Sequence, residues 1–490
     1  MTASAHSLQE LEERVRYDLE CLDYPRGFWM PVNADKTSGA PFNVLIVGAG
    51  QSGLAAAWAL KQKKIDRIRL VDNRPEGFEG PWDTYARMDT LRTPKHVTAL
   101  DGGVASLSFR AWYDACGLQP TWAEIDRAPR TVWMDYLRWF RRVLTLPVQN
   151  ETKLVGFAPA ANGLLDVELL HNGATEIVQT RKLVLATGMN GGGEYAIPLA
   201  LAAGLPAQSY AHAYDEIDFK SLIGKRIGIL GIGSAAADNA TAALNAGAAR
   251  VDLFARRPPP PPLEARDWVE HAGFLHGFAD LPDTLRWEVA HKLIGISTPA
   301  PPWSMEKCCA FSNCSFHFEA GWQTANWTGS EIRIETVKGP YVTDFIIFAT
   351  GATVDLARRP ELAPHQSEIT LWRDRFEPAV EKRCEATLDF PYLSSGFAII
   401  PRHMDNAAYL KNVHLFNRSA TASLGVGAAT VTGLGFASHR LASALTSDLY
   451  RSVANNHVAE MPWPDFSAAP ITFNSTTVAD ALSAEEKSRA

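Results

Sequence analysis

Four short runs of the chain are apolar almost without interruption: Val44–Val47, Leu183–Leu185, Ile227–Leu230 and Phe345–Phe348. Runs of this length predict strands buried on both faces, as in a parallel sheet covered by helices. Two of them lead through a glycine turn into a run of small apolar residues, Leu54–Leu60 and the alanine-rich stretch after Gly233, which predict helices. Each of these units is followed by a further strand, Ile68–Val71 and Val251–Phe254. The other two runs end in the same tripeptide, Ala186-Thr187-Gly188 and Ala349-Thr350-Gly351. Residues 152–185 alternate as in a small sheet turning at Asn172-Gly173. Thr131–Leu146 predicts a helix capped by Thr131, with Trp133, Leu137, Phe140 and Leu144 on one face and Arg138, Arg141 and Arg142 complementing the dipole. Leu8–Leu22 predicts an acidic amphipathic helix, and Leu285–Leu293 a short one. The fold class expected is α/β, with two Rossmann-like domains.

The turns carry the chemistry. Gly48-Ala49-Gly50-Gln51-Ser52-Gly53 is a G-x-G-x-x-G between strand and helix. Such a turn needs its first glycine for the bend, its second for approach of a pyrophosphate, and its third for close packing of helix on strand. Asp72 ends the next strand about 20 residues later, where a carboxylate holds a free ribose hydroxyl. Gly231-Ile232-Gly233-Ser234-Ala235-Ala236 repeats the pattern with alanine last, and Gly247 is suited to stop its helix in a left-handed conformation. The second unit ends in Arg256-Arg257 instead of an acid, which suits the 2′-phosphate of NADP. Two such folds predict FAD in the first and NADPH in the second, with hydride passing from nicotinamide to flavin.

Composition narrows the field. With 490 residues, 46% apolar and 21% charged, the chain reads as a multidomain globular protein. A net charge of −7 without basic stripes argues against nucleic acid. No apolar run approaches the ~18 residues of a membrane helix, and no signal core opens the chain, so the expected location is cytoplasmic. Six cysteines make no disulfide framework. Cys308, Cys309, Cys314 and His317 match no zinc spacing, so no metal is expected. No cysteine pair lies between Gly80 and Lys95, where disulfide reductases of this layout carry one. Oxygen becomes the leading electron acceptor.

On these motifs, the Gly80-Pro81-Trp82 loop and Phe348-Ala349-Thr350-Gly351, residues 40–450 resemble the single-component FAD- and NADPH-dependent monooxygenases: flavin-containing monooxygenases, N-hydroxylases and Baeyer–Villiger enzymes. The resemblance implies that NADPH reduces FAD, that a C4a-(hydro)peroxyflavin forms, and that a small organic substrate is oxygenated, preferably at nitrogen or sulfur. The fingerprint F-x-G-x-x-x-H-x-x-x-W keeps only its histidine, His212, with Pro206, Gln208 and Glu216 at the other positions. Baeyer–Villiger oxygenation of a ketone is the alternative. Two others are an oxidoreductase without oxygenated product and a non-catalytic redox sensor. For FAD the expected residues are Gly48, Gly50, Gln51, Ser52, Gly53, Asp72, Asn73, Gly80, Trp82, Thr93, Gly188 and Gly351. For NADP they are Gly231, Gly233, Ser234, Ala235, Ala236, Arg256 and Arg257. His212, Arg92 and Asn417 are the candidates for catalysis, with Ser419 a further cleft residue. The domains expected are a helical extension (1–40), an FAD domain (41–210 and 341–490) and an NADPH domain (211–340) carrying an insertion at about 258–330 that caps a substrate cleft. The partners expected are a small molecule and O2.

Overall fold

The computed structural model describes residues 7–23, 27–31, 40–97, 100–261, 267–295 and 300–461. Its first sheet is built on β1 (Phe42–Val47), β2 (Ile68–Val71), β3 (Val148–Gln149), β4 (Thr152–Pro159), β5 (Leu165–His171) and β6 (Ala174–Leu185), in the order β3-β2-β1-β6-β5-β4. β6 does two jobs. Its first half pairs antiparallel with β5 through the Asn172-Gly173 turn, and its second half runs parallel to β1 from Thr180 to Leu185. Asn172 and Gly173 both have positive φ, 49° and 79°, as the tightest hairpin turn requires.

The second sheet contains β7 (Tyr210–His212), β8 (Arg226–Leu230), β9 (Arg250–Phe254) and β10 (Cys314–His317). An antiparallel meander of β11 (Trp322–Trp327), β12 (Ile332–Thr336) and β13 (Gly339–Thr343) then feeds β14 (Phe345–Phe348) into this sheet between β8 and β7. All its pairings are parallel, which accounts for the uninterrupted apolar runs. Ala236, Ala237, Ala240 and Ala243 of the helix Ser234–Ala246 pack on Ile227, Ile229, Val251 and Leu253, small side chains letting the helix lie close to the sheet. That helix ends at Gly247 with φ +100°, as its sequence demanded.

Three expectations need correction. The helix expected from Thr131 spans Arg130–Val143; Pro129 is its N-cap, and Thr131 lies inside it. It stops before Leu146 because Thr145 takes a left-handed conformation, φ +48°. The irregular stretch expected to run to Ser330 is shorter. β10 is an edge strand of the second sheet, hidden in the sequence by its four-residue length and by the polar Ser315 and His317. β11–β13 likewise belong beside that sheet: Ile332 and Ile334 pack on Ile346 and Phe348. β14 is also a strand of the second sheet, so the return to the first falls after Phe348 and not at 341. Residues 262–266 and 296–299 of the expected insertion lie outside the described residues.

The chain crosses between the sheets twice, and the crossings run side by side. Ala196 N–H donates to Gly351 O (2.9 Å), Thr353 N–H to Glu194 O (2.9 Å) and Asp355 N–H to Gly192 O (2.8 Å). β15 (Val413–His414) then pairs with β6 at Leu183 and Val184, returning the C-terminal part to the first sheet. The helix Leu434–Glu460 follows.

His414 on β15 is fully buried; its Nδ1–H donates to Gly396 O at 2.8 Å, while Nε2 has no partner among the described residues. Burial, and then the Lys182 charge, push its pKa down to about 4. The unfolded chain binds this proton near pH 6.5 and the folded chain only near 4, so stability is full above 6.5 and is lost as pH falls between them. We expect His414→Phe to flatten the acid limb of stability against pH in that window by about 2 kcal/mol, read from urea midpoints at pH 7 and pH 4.5. An unchanged limb would contradict the assignment.

Candidate dinucleotide and substrate site

Both glycine turns lie where their strands end. Gly48 has φ +100°, its N–H donates to Val71 O (2.8 Å), and a Cβ there would clash with the Ala186 carbonyl. Gly53 sits against the Gly48 carbonyl with no room for a Cβ. Helix Gln51–Gln62 begins at Gly50 with no side-chain cap, so its first N–H groups are left for a ligand. The second turn copies this arrangement. Gly231 has φ +129°, a Cβ there would lie 2.5 Å from Ala349 O, and Gly233 opens helix Ser234–Ala246 without a side-chain cap.

Asp72 is buried at the end of β2. Its Oδ2 accepts from Ala49 N–H (2.7 Å) and its Oδ1 from Arg74 N–H (2.9 Å), tying the first glycine turn to the loop that follows β2. Burial raises its pKa, and the two backbone donors oppose the shift. That loop, 73–82, returns over the turn so closely that Gly80 faces Gly50; a Cβ on Gly50 would lie 3.6 Å from Gly80 Cα. Helix Arg130–Val143 holds it down. Arg138 donates to Gly77 O (2.5 Å) and Asp83 (2.6 Å), Arg141 to buried Glu79 (2.6 Å), and Arg130 to Trp82 O. Arg138 and Arg141, read in the sequence as dipole complements, clamp the loop together with Arg130.

A cavity of about 720 Å³ opens beside this turn, lined by Ala49, Gly50, Gly77, Met134 and Arg138 among others. A second, of about 730 Å³, lies between the two nucleotide folds, with Arg74, Arg87, Arg130, Glu216 and Phe219 on its walls. The Trp82 indole N–H is buried with no acceptor among the described residues. Gly188 (φ +74°) and Gly351 (φ +83°) end the two Ala-Thr-Gly turns with open space where a Cβ would be. Gln51 is buried and accepts from Trp133 Nε1 (3.2 Å); Ser52 is also buried. Thr93 is buried against Thr432 (Oγ1–Oγ1 3.1 Å), and Asn73 is exposed. The bare first turn, the facing glycines and the orphaned indole fit an FAD pyrophosphate and its neighbouring groups.

The residues expected to do chemistry have other contacts. His212 is 1% exposed. Its Nδ1 accepts from Tyr214 N–H (3.2 Å) and its Nε2–H donates to Gly351 O (3.0 Å), so both nitrogens hold backbone of the double crossing. Burial lowers its pKa, keeping it neutral. Asn417 is fully buried: Nδ2 donates to Leu185 O (3.2 Å) and Thr187 Oγ1 (3.1 Å), and Oδ1 accepts from Ser419 N–H (2.9 Å) and Oγ (2.6 Å). Arg92 pairs with Asp238 on the second nucleotide helix. Burial raises the Asp238 pKa more than Arg92 lowers it. Arg256 and Arg257 are exposed just past β9, and Arg257 O accepts from Glu319 N–H (3.0 Å).

Tyr195 and Tyr214 pack on His212, and Tyr85 reaches both of these tyrosines from another segment; no local pattern announced them. Tyr195 stacks on the imidazole (4.9 Å, 8°), and Tyr214 lies 5.0 Å from Tyr195 and 5.8 Å from Tyr85. Cys308 is buried under the second nucleotide helix, donating toward Ala237 O (3.4 Å), and His317 Nε2 lies 2.8 Å from Asp252.

A chain with two dinucleotide turns, one per parallel sheet, and a crossing that binds the sheets together is a two-nucleotide flavoprotein. Comparison with known proteins extends this. A family model described as FAD-NAD(P)-binding matches residues 45–190, and one described as L-lysine 6-monooxygenase/L-ornithine 5-monooxygenase matches residues 121–292. The FAD-dependent urate hydroxylase of Xanthomonas campestris is 40% identical over 446 residues, covering 91% of this chain and 93% of the relative. The ornithine hydroxylase of Pseudomonas aeruginosa (TM-score 0.63, 15% identity) and the L-lysine 6-monooxygenase of Pseudomonas syringae (0.61, 16%) have the same fold, each over 84% of this chain and all of the solved one. The protein belongs to the FAD-dependent monooxygenases and is an oxidoreductase that uses FAD and a nicotinamide dinucleotide. Among the described residues no helix is long and apolar enough to cross a membrane.

Proposed function

We propose that this protein hydroxylates an oxidised purine of the urate class with NADPH and O2. The observation that carries the reading is the 40% identity to the urate hydroxylase, which extends through both nucleotide folds and the C-terminal return. In the overall reaction a ring-fusion carbon of the substrate gains a hydroxyl group while a ring N–H gives up its proton and the double bond shifts, the second oxygen atom leaves as water, and NADPH with one proton supplies two electrons. The sequence-based preference for nitrogen or sulfur becomes the second reading, supported by the family model of lysine and ornithine monooxygenases over residues 121–292.

Gly48, Gly50, Gly53, Gly80 and Trp82 would hold FAD, with Asp72 fixing the turn. When bound, FAD supplies two-electron transfer from nicotinamide to O2. The bare start of helix Ser234–Ala246 suits the second pyrophosphate. Arg256 and Arg257 would select the 2′-phosphate. His212 and Asn417 act as positioning residues: one fixes the double crossing, the other joins Leu185–Thr187 to the turn after β15. The Arg92–Asp238 pair ties the FAD side to the second nucleotide helix.

The test is urate-dependent NADPH oxidation with one O2 consumed and one urate lost per NADPH. Amine and thioether panels serve as alternatives, and hydrogen peroxide is measured in parallel. Peroxide equal to NADPH with every substrate would overturn the reading in favour of an oxidase. Arg256→Ala with Arg257→Ala is expected to raise KM for NADPH at least about tenfold, one lost charge-assisted contact, and to spare NADH. Equal effects on both donors would refute the 2′-phosphate role.

A further inference from the structure

Arg418 begins the turn after β15, next to Asn417, whose amide is locked to Leu185 and Thr187. That anchoring puts Arg418 at the end of β6 where the first Ala-Thr-Gly turn leads into the crossing to the second sheet. The crossing that carries Tyr195 passes beside this turn, since a Cβ on Gly191 would meet Asn417 and one on Gly192 would meet Ser419; burial lowers the Arg418 pKa, and Tyr214 opposes the shift. The Nε–H is buried without an acceptor, and no carboxylate or carbonyl accepts from the guanidinium among the described residues.

Other arginines show what is unusual here. Arg87, Arg92 and Arg286 also have a buried, unsatisfied Nε, but Arg87 donates to Thr84 O and Asp215 O, Arg92 pairs with Asp238, and Arg286 pairs with Asp283. Arg181 resembles Arg418 in lacking an acceptor, yet it sits earlier on β6, away from the glycine turns. A partly buried cation without a counter-ion is costly, and one kept in a structure suits an anion.

Resting on the urate reading, we propose that Arg418 is the residue that recognises the substrate's negative charge, with Tyr85, Tyr195 and Tyr214 forming an aromatic wall for its planar ring. Urate is the anion of a weak N–H acid, flat and rich in carbonyl oxygens. A guanidinium offers a planar fork of donors to adjacent oxygen and ring nitrogen acceptors, and a tyrosine face accepts a flat heterocycle. The same cation would repel the ammonium of an aliphatic amine, which separates this chemistry from that of amine substrates. A nicotinamide dinucleotide phosphate is the other anion that could reach it.

The test uses the FAD-loaded protein with urate and with a fully N-methylated, uncharged oxypurine, binding being read by calorimetry on the oxidised enzyme without NADPH. Arg418→Ala is expected to weaken urate binding about 30-fold or more, to change binding of the uncharged analogue less than about threefold, and to leave KM for NADPH unaltered. Arg418→Lys should recover only part of the loss, because an ammonium lacks the fork. Flavin content and near-ultraviolet circular dichroism equal to those of the parent protein establish that the variants fold. Unchanged urate affinity in Arg418→Ala would overturn the proposal while leaving the urate reading intact, as would a loss confined to NADPH. A parent protein that binds no urate would overturn both.

Discussion

Gly53→Ala is expected to yield protein without FAD. Gly53 lies on the first turn of helix Gln51–Gln62, and its Cα faces the Gly48 carbonyl so closely that a methyl group would overlap the oxygen. That oxygen cannot yield cheaply. Gly48 is held by its N–H to Val71 O, and its own Cα abuts the Ala186 carbonyl of the neighbouring strand's turn. The helix must therefore lift off β1, carrying with it the first-turn N–H groups that would meet the pyrophosphate. Overpacking of this kind costs about 3 kcal/mol or more against rigid backbone, which is over 100-fold in an equilibrium constant. Flavin absorbance per protein, before and after incubation with excess FAD, measures the loss. A variant that purifies with a full complement of FAD would contradict the assignment of this turn. Gly103→Ala is the comparison for nonspecific effects: that residue also has positive φ (+89°), but nothing lies within reach of its Cβ.

Gly231→Ala is expected to separate the two halves of the enzyme. The residue combines φ +129°, which side chains rarely adopt, with Ala349 O at 2.5 Å from the site of a Cβ. Strain and overlap act together on the turn that opens helix Ser234–Ala246, while Gly48–Gly53 belong to the other sheet. The variant should retain FAD yet lose at least about 100-fold in the rate at which NADPH bleaches the flavin, for a similar cost of about 3 kcal/mol. Chemical reduction by dithionite should proceed as in the parent protein, since it needs no nicotinamide site. Equal reduction by NADPH in variant and parent would remove the second turn from the nicotinamide site. Loss of FAD in both variants would mean that the two turns do not serve separate nucleotides.

His212 and Asn417 illustrate how far residue type can mislead about role. A histidine between two nucleotide folds and an asparagine at a strand end are both reasonable chemical groups. In three dimensions each spends its polar atoms on backbone and neighbouring side chains: Gly351 O and Tyr214 N–H for one, Leu185 O, Thr187 and Ser419 for the other. Arg92, a third candidate, is matched by Asp238 from 146 positions away. Nothing in the local sequence of any of them records the partner. The insertion was misjudged for a related reason. β10 is too short and too polar to stand out, and becomes a strand only because β9 offers it an edge.

What the sequence determined by itself was everything governed by local sterics and periodicity. Glycines where only glycine fits, apolar runs buried on both faces, and an Asn-Gly hairpin fix strand, turn and helix within a dozen residues of one another. From these followed two dinucleotide folds, and the family resemblance carried by the same motifs implied the class of enzyme. Tertiary structure alone decided which side chains are already satisfied and which are not. The clamping of the 73–82 loop by Arg138 and Arg141, the meeting of three tyrosines at the double crossing, and a guanidinium left without a counter-ion at Arg418 all depend on segments far apart in the chain. Hydrogen bonding and desolvation act between neighbours in space, and that neighbourhood is set only when the two sheets and the C-terminal return have packed.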